Sequence, residues 1–284
     1  MTAIAFIGAG RVGSTLARAL VQCGMDVVAT ASRDAAAAER AAARVPGCRA
    51  TSVDEAARAD LVFLTVPDDA IAPLAQGLSW RSGQRVVHCS GATEVSVLEP
   101  AARRGASTGG FHPLQIFSDT ERAIDLLPGS SVAIEGDAVL EAELRGIAER
   151  LQMHPLALPA GARALYHGGA SFAASFLLSM LQEAAAVWGS FGIPEAAALQ
   201  ALMPLARGTL DAAASKGLAG ALAGPVSRGD AGVVRRHHEA LTRLGAEHAQ
   251  FYAELTRRQL MLADAAGRLN DEKRQALRAA AGLA

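Results

Sequence analysis

A doubly wound α/β sheet followed by an all-helical C-terminal domain is the fold class the sequence predicts, on three observations. The chain opens with a short apolar strand that runs into the turn Gly8-Ala-Gly10-Arg-Val-Gly13 and then into a helix. Continuous apolar runs at 60–66 and 85–89 recur with helical patterns between them, the mark of parallel strands covered on both faces. After Pro159 only helix-period segments follow, with breaks at 192–194, around 216–228 and around 267–270. Two domains are therefore expected, residues 1–159 and residues 160–284.

The elements follow in order. The first strand ends at the glycine turn, and the second, residues 26–31, ends at Ser32-Arg33 with a helix starting near Asp34. The run at 60–66 stops at Pro67-Asp68-Asp69, where a helix can begin, and the run at 85–89 stops at Ser90-Gly91-Ala92. Further strands are expected around 107–111, at 131–135 and around 153–158, with a helix at 138–151. The segment 162–193 is apolar enough to resemble a membrane span. His167, several serines, Gln182 and Glu183 interrupt it, which predicts a buried helix of a soluble protein. Asp230 is placed to cap the helix running through 233–236.

Composition removes several classes of function. Half of the 284 residues are hydrophobic (51%), enough for a sizeable core, and the net charge is −1 with Arg and Lys scattered, unlike the basic footprint of a nucleic-acid binder. No basic leader with an apolar segment precedes the first strand, so a cytoplasmic protein is expected, with neither nucleic acid nor membrane as partner. Cys23, Cys48 and Cys89 form no C-x-x-C pair, which argues against a disulfide framework. His237-His238-Glu239 lacks the second histidine four residues on that a zinc helix needs, and no metal site is expected.

The glycine turn carries the first chemical expectation. Gly8 permits the tight turn, Gly10 lets backbone approach a diphosphate, and Gly13 lets the helix pack close to the strand, so a dinucleotide would lie across Gly8 to Gly13, Arg11 and Val12 included. NAD enzymes place a carboxylate about 20 residues further on, to accept from the ribose 2′-hydroxyl. Ser32-Arg33 stands there instead, and a hydroxyl and a guanidinium suit a 2′-phosphate, so NADP is the expected cofactor. Val66 and Pro67, at the carboxyl end of a strand, border the nicotinamide side.

Substrate chemistry is expected in the neighbouring loops. Ser90-Gly91 offers a hydroxyl and a backbone amide, and the same residues also make a turn without a ligand. His112, read as ending a strand at the ligand edge, can orient or protonate a substrate. His167, Ser171, Ser175 and Gln182 fall within about 80° of one another on a helical wheel, a face suited to a polar cleft or to close helix packing. Arg228 suits either a substrate carboxylate or a structural acid.

The segments GAGRVG, DLVFLTVPDDAI, VVHCSGA, GGFHPLQIF, ALYHGGASFAASF, GIP and AGPVSRGD, which span nearly the whole chain, resemble the predicted NADP-dependent oxidoreductases that join a Rossmann-like domain to a C-terminal helical domain of unknown function. More distantly the chain is similar to the 6-phosphogluconate dehydrogenase-like group. In the β-hydroxyacid dehydrogenases of that group a lysine acts as acid/base, with an asparagine four residues on. The matching positions are His167 and Ser171, so that mechanism is not carried over intact. Within the nearer family an asparagine is usual where this chain has Ser175. The resemblance implies a dimer through the helical domains. It also implies an NADP-dependent oxidoreductase moving hydride between nicotinamide and a small carbonyl, imine or alcohol. His167 would be the general acid, His112 and Ser90 would orient the substrate beside Ser171, and Arg228 would bind an acidic group. A noncatalytic NADP(H)-binding sensor or scaffold, and an imino-acid reductase similar to pyrroline-5-carboxylate reductase, are the alternatives.

Overall fold

The computed structural model describes residues 2–283, the side chain of residue 120 excepted. Eight strands build one sheet: β1 (Ile4–Ile7), β2 (Val27–Ala31), β3 (Arg49–Ala50), β4 (Leu61–Leu64), β5 (Arg85–His88), β6 (Ser107–Leu114), β7 (Ser131–Glu135) and β8 (His154–Ala157). Their order across the sheet is β3-β2-β1-β4-β5-β6-β7-β8, and every neighbouring pair is parallel except β6 with β7. The chain moves outward from β1 to β3, then restarts at β4 on the other side of β1. The carboxyl ends of β1 and β4 thus form the crevice where open α/β sheets bind ligands.

Side-chain alternation along the strands fills two cores. Ile4, Phe6, Leu61, Phe63 and Phe111 face helices α1 (Arg11–Gln22) and, further on, α7 (Ala138–Arg150), through Leu16, Leu20, Leu140, Leu144 and Ile147. Ala5, Ile7, Val62, Leu64 and Val86 face the opposite layer. That layer contains α3 (Val53–Ala56), α4 (Asp68–Gly77) and α5 (Glu99–Ala102), with α2 (Ala35–Ala42) beside β2 and β3. The Phe6 and Phe63 rings stack at 5.1 Å and Phe111 meets Phe63 edge-on at 5.8 Å, which ties β1, β4 and β6 together. The short α6 (Thr120–Asp125) packs on α1.

β6 is longer than the sequence suggests. Pairing with β5 stops at Gly110, but antiparallel pairing with β7 continues through Phe111, His112, Pro113 and Leu114. His112 therefore sits inside the strand opposite Ala133, not at its end as expected. With β5 absent past Gly110, Pro113 needs no N–H on that side.

By internal contacts the chain divides into two compact units, up to Phe172 and from Ala173 onward. The first unit closes with α8 (Arg163–Ala173). The second comprises α9 (Ser175–Gly189), α10 (Glu195–Ala221, kinked at Gly217), α11 (Pro225–Arg228), α12 (Ala231–Leu244), α13 (Ala246–Ala265) and α14 (Asp271–Ala280). Its small core joins Val226, Val234, Leu260, Leu277 and Ala280. The Asp230 carboxylate caps α12 by accepting from the Val233 N–H at 3.1 Å.

Two expectations about the 162–193 segment are corrected. It is not one helix, because Ala174 adopts φ −119°, ψ −90° between α8 and α9, which places His167 and Ser171 on one helix and Ser175 and Gln182 on the next. Nor is it buried: an 18-residue stretch within residues 163–189 has the hydropathy (1.4) of a membrane span, yet only 6% of that stretch is buried. Apolar composition records that a surface favours cover, without saying that the same chain provides it.

Candidate active site

The turn after β1 and the end of β4 interlock at the crevice. Gly8 has φ +120°, and a Cβ there would stand 2.5 Å from the Thr65 carbonyl carbon. A Cβ on Gly13 would stand 2.5 Å from Thr65 Oγ1 and still closer to the Gly8 carbonyl oxygen. Thr65 Oγ1 donates to that same oxygen at 2.7 Å. Gly8 and Gly13 thus let strand, turn and helix close on one another, while a Cβ on Gly10 would meet nothing within 4 Å. Gly10 is the N-cap of α1 and brings no side-chain cap, which leaves the first amides of α1 available to an anion.

A cleft of about 480 Å³ follows from this closure. Ile7, Gly8, Gly10, Ser32, Arg33, Val66 and Pro67 all line it, along with Val53 and Leu74. Arg11 and Val12 line a neighbouring hollow of about 540 Å³ that shares Gly10, Thr65, Val66 and Pro67 and adds Ile116 and Phe117. Gly13 lies beneath both as packing. Arg33 is exposed and, among the described residues, has no ion-pair partner. Ser32 Oγ accepts from the Asp34 N–H at 3.2 Å, and Asp34 is the N-cap of α2. An uncapped helix N-terminus, an open glycine and a free guanidinium around one cleft are the donor set that a dinucleotide with an extra phosphate requires.

A second cluster forms where β5, β6, β7 and α8 meet, all within the first unit. Its hub is Arg163, the first residue of α8, with 0% exposure. Its Nε donates to Glu135 Oε2 at 2.7 Å and its Nη1 to the Ser90 carbonyl at 2.8 Å, whereas Nη2 has no partner among the described residues. Glu94 holds the start of α8, its two oxygens accepting from the backbone N–H of Gly161 (3.0 Å) and of Arg163 (3.1 Å). Gly110 makes room for the guanidinium: a Cβ there would lie 2.5 Å from Arg163 Cζ.

Strands β5 and β6 and helix α8 bring imidazoles to this hub. His112 Nδ1 lies 3.0 Å from the Tyr166 hydroxyl, and its ring meets that of His167 edge-on at 5.8 Å. Gly91 sits against both, since a Cβ there would lie 2.5 Å from His167 Cδ2 and 2.9 Å from His112 Nε2. Burial, with help from His167 and Arg163 and against Asp68, lowers His112 to about 4, so its ring is neutral near pH 7. Burial and Arg163 likewise lower His88 to about 4, and its Nδ1 accepts from the Ser90 N–H at 3.2 Å. Burial raises the Tyr166 hydroxyl, which keeps its proton, and raises the Cys89 thiol to about 12, which makes it inert. His167 is the exposed member.

The expected residues distribute unevenly over these sites. His112 and His167 come together with Ser90, but the Ser90 hydroxyl is committed: it donates to Asp68 Oδ2 at 2.8 Å and accepts from the Ala92 and Thr93 amides. Ser90 thus fixes the loop that carries Gly91. Ser171 Oγ donates to the His167 carbonyl at 3.1 Å. Ser175 belongs to the second unit, as does Arg228, exposed at the end of α11. His237 is exposed, with its Nδ1 3.1 Å from the Tyr252 hydroxyl. Sequence reasoning named Gly91 for its backbone amide and missed Arg163, Tyr166 and Gly110. The one local signal was Gly109-Gly110 within a strand pattern, which marks a close approach.

Comparison with known proteins agrees with this architecture. Residues 2–113 match the Rossmann-like domain family, and residues 130–259 match the family described as a domain of unknown function, DUF2520. No curated protein matches the chain. A Bacteroides fragilis structure described as a candidate NADP oxidoreductase is 27% identical, with 92% of this chain and 98% of that one covered and a TM-score of 0.72. A protein from Thermotoga maritima is 22% identical over 93% of this chain and 100% of its own, with a TM-score of 0.77. The Aspergillus terreus reductive aminase in complex with NADPH and ethyl-5-oxohexanoate is 18% identical over 98% of this chain and 99% of its own, with a TM-score of 0.64, a likeness of fold.

Proposed function

We propose that this chain, a Rossmann-like domain joined to a DUF2520 domain, is an NADP-dependent oxidoreductase that transfers hydride between nicotinamide and a small carbonyl, imine or alcohol. The observation that carries the reading is the shared cleft: the uncapped start of α1, Ser32 and Arg33 line one crevice at the switch point of the sheet. The Bacteroides fragilis protein described as a candidate NADP oxidoreductase, and the NADPH bound in neighbours of the same fold, support it.

NADPH, when bound, supplies the hydride. The α1 amides and Gly10 bind the diphosphate, Ser32 and Arg33 bind the 2′-phosphate, and Val66 and Pro67 border the nicotinamide side. His167, at the exposed end of the imidazole cluster, delivers the proton to the substrate heteroatom. His112 stays neutral, and we assign the Tyr166 hydroxyl as donor to Nδ1 at 3.0 Å, which puts the ring proton on Nε2, beside Gly91. A neutral imidazole held this way acts as a fixed hydrogen-bond donor to the substrate. The second unit is read as a dimerisation domain, because α10 leaves Leu205 and Leu218 exposed at 68% and 69%.

The test is a fluorescence titration with NADPH and NADH, on the wild type and on Arg33→Ala. NADPH should bind more tightly, and the variant should lose about tenfold to a hundredfold in NADPH affinity with NADH unchanged, as for a lost charged hydrogen bond. No binding of either nucleotide would retire the oxidoreductase reading.

A further inference from the structure

We infer that the second unit carries a ligand site of its own, a pocket for an uncharged ring compound that bears an N–H or O–H donor. Helices α9, α12 and α13 surround a hollow of about 530 Å³ that shares no lining residue with the cleft of about 480 Å³ at the glycine turn. Both volumes fall in the range of about 300–1,000 Å³ that small-molecule sites occupy. Every lining residue lies between Met180 and Leu255, inside the second unit, so the site stands independently of the dinucleotide reading.

Its apolar walls come from Met180, Val187 and Trp188 on α9, Leu241 on α12, and Phe251 and Leu255 on α13. None of the six is buried, although the unit keeps a separate apolar core around Val234 and Leu260. Two polar pairs set the spacing of these helices. His248 Nδ1 bonds Glu183 Oε1 at 2.5 Å, which ties α13 to α9, and His237 Nδ1 lies 3.1 Å from the Tyr252 hydroxyl, which ties α12 to α13. The hollow is therefore formed before anything enters it, and a preformed site spends less on ordering when it binds.

The same two pairs decide the chemistry of the occupant. The hydrogen bond from Glu183 holds His248 above its ordinary value, which favours imidazolium beside carboxylate, a pair with no net charge. His237 and Tyr252 satisfy each other, and no other ionisable side chain among the described residues lines the hollow. Glu247, 3.9 Å from His248 Nε2, stands in solvent at 78% exposure, where its charge is screened. A charged ligand would bring an unmatched charge against apolar walls, or would displace one member of the Glu183–His248 pair and strand the other. An uncharged ring does neither, and Trp188, Phe251 and Tyr252 offer it aromatic surface. Glu183 Oε2 accepts from none of the described residues, which leaves one acceptor for a donor on the ligand.

The decisive experiment is calorimetry of the full chain at pH 7 with three probes of matched shape: 2-phenylacetamide, phenylacetate and 2-phenylethylammonium. The uncharged amide should bind the wild type about tenfold or more tighter than either ion. In His248→Gln the glutamine amide can still donate to Glu183 but the carboxylate loses its counter-charge, so the ratio of 2-phenylethylammonium to amide affinity should rise by about tenfold. Ala240→Phe, a change at an exposed lining position, fills the hollow and should abolish amide binding while the helical circular dichroism is unchanged. An ion that binds the wild type as tightly as the amide, a preference unmoved by His248→Gln, or amide binding retained in Ala240→Phe overturns the inference. Absence of binding by all three probes overturns it as well, and a dimer lost in Ala240→Phe would then mark this face as an interface between copies of the chain.

Discussion

Replacing Gly110 with alanine sets two physical effects against each other with opposite signs. Glycine inside a strand costs conformational entropy, so Gly→Ala alone would stabilise by about 0.5–1 kcal/mol. Here the new Cβ would stand 2.5 Å from Arg163 Cζ and 3.1 Å from Nη1. Carbon atoms rest no closer than about 3.5 Å and the new Cβ would overlap Arg163 Nη2 outright, so the guanidinium must retreat by more than about 1 Å. Nothing nearby lets it go cheaply, because Arg163 is fully buried, bonded to Glu135 at 2.7 Å and to the Ser90 carbonyl at 2.8 Å. Breaking a buried pair of this kind costs about 3–5 kcal/mol, which far exceeds the entropic gain. Against a typical total of about 5–15 kcal/mol, the loss is a large shift in the urea midpoint of the first unit. The same substitution made in an Arg163→Met background, where no guanidinium remains to displace, should cost much less, and the difference between the two measures the coupling. A Gly110→Ala protein within about 0.5 kcal/mol of wild type would refute the clash and with it the role of Arg163 as hub.

His167→Ala should lower kcat by about a hundredfold or more while NADPH affinity changes little; equal losses of both would count against His167 as proton donor. Acid should destabilise the first unit through His88 and His112. Both titrate near 4 when folded against 6.5 as free groups, so the unfolded chain binds more protons in that window. Stability then falls as pH drops from 6.5 toward 4, by up to about 3 kcal/mol per histidine. Urea midpoints compared across that range in wild type and His88→Asn should show a shallower slope in the variant, and parallel slopes would exclude the buried imidazole. Sedimentation should find a dimer for the wild type and a monomer for a Leu205→Glu, Leu218→Glu double variant, since each buried leucine contributes about 1.5–3 kcal/mol; a monomeric wild type would remove the dimer.

The amino-acid sequence by itself determined whatever is short-range. Gly8, Gly10 and Gly13 act on backbone within one turn, so their spacing already carries the strand-turn-helix geometry that the structure contains. The apolar runs of β1, β4 and β5 mark buried parallel strands, because burial on both faces needs no knowledge of which element provides the cover. Ser32 and Arg33 were legible for the same reason: position at a strand end is a local property.

Only the tertiary structure decided the rest. Arg163 reads in sequence as an ordinary arginine at a helix start, and it becomes a buried hub because β5, β6 and β7 bring Ser90, Gly110 and Glu135 around it from 73, 53 and 28 residues away. His112 reads as a strand end, but antiparallel pairing with β7 extends the strand past it. Ser90 reads as a substrate ligand, and its hydroxyl donates a hydrogen bond to Asp68, distant by 22 residues. The break at Ala174 carries no glycine or proline to announce it. Local conformation is written in neighbouring residues, whereas partner choice depends on which distant atoms the packed chain brings within hydrogen-bond reach, and no pattern of spacing along the sequence encodes that.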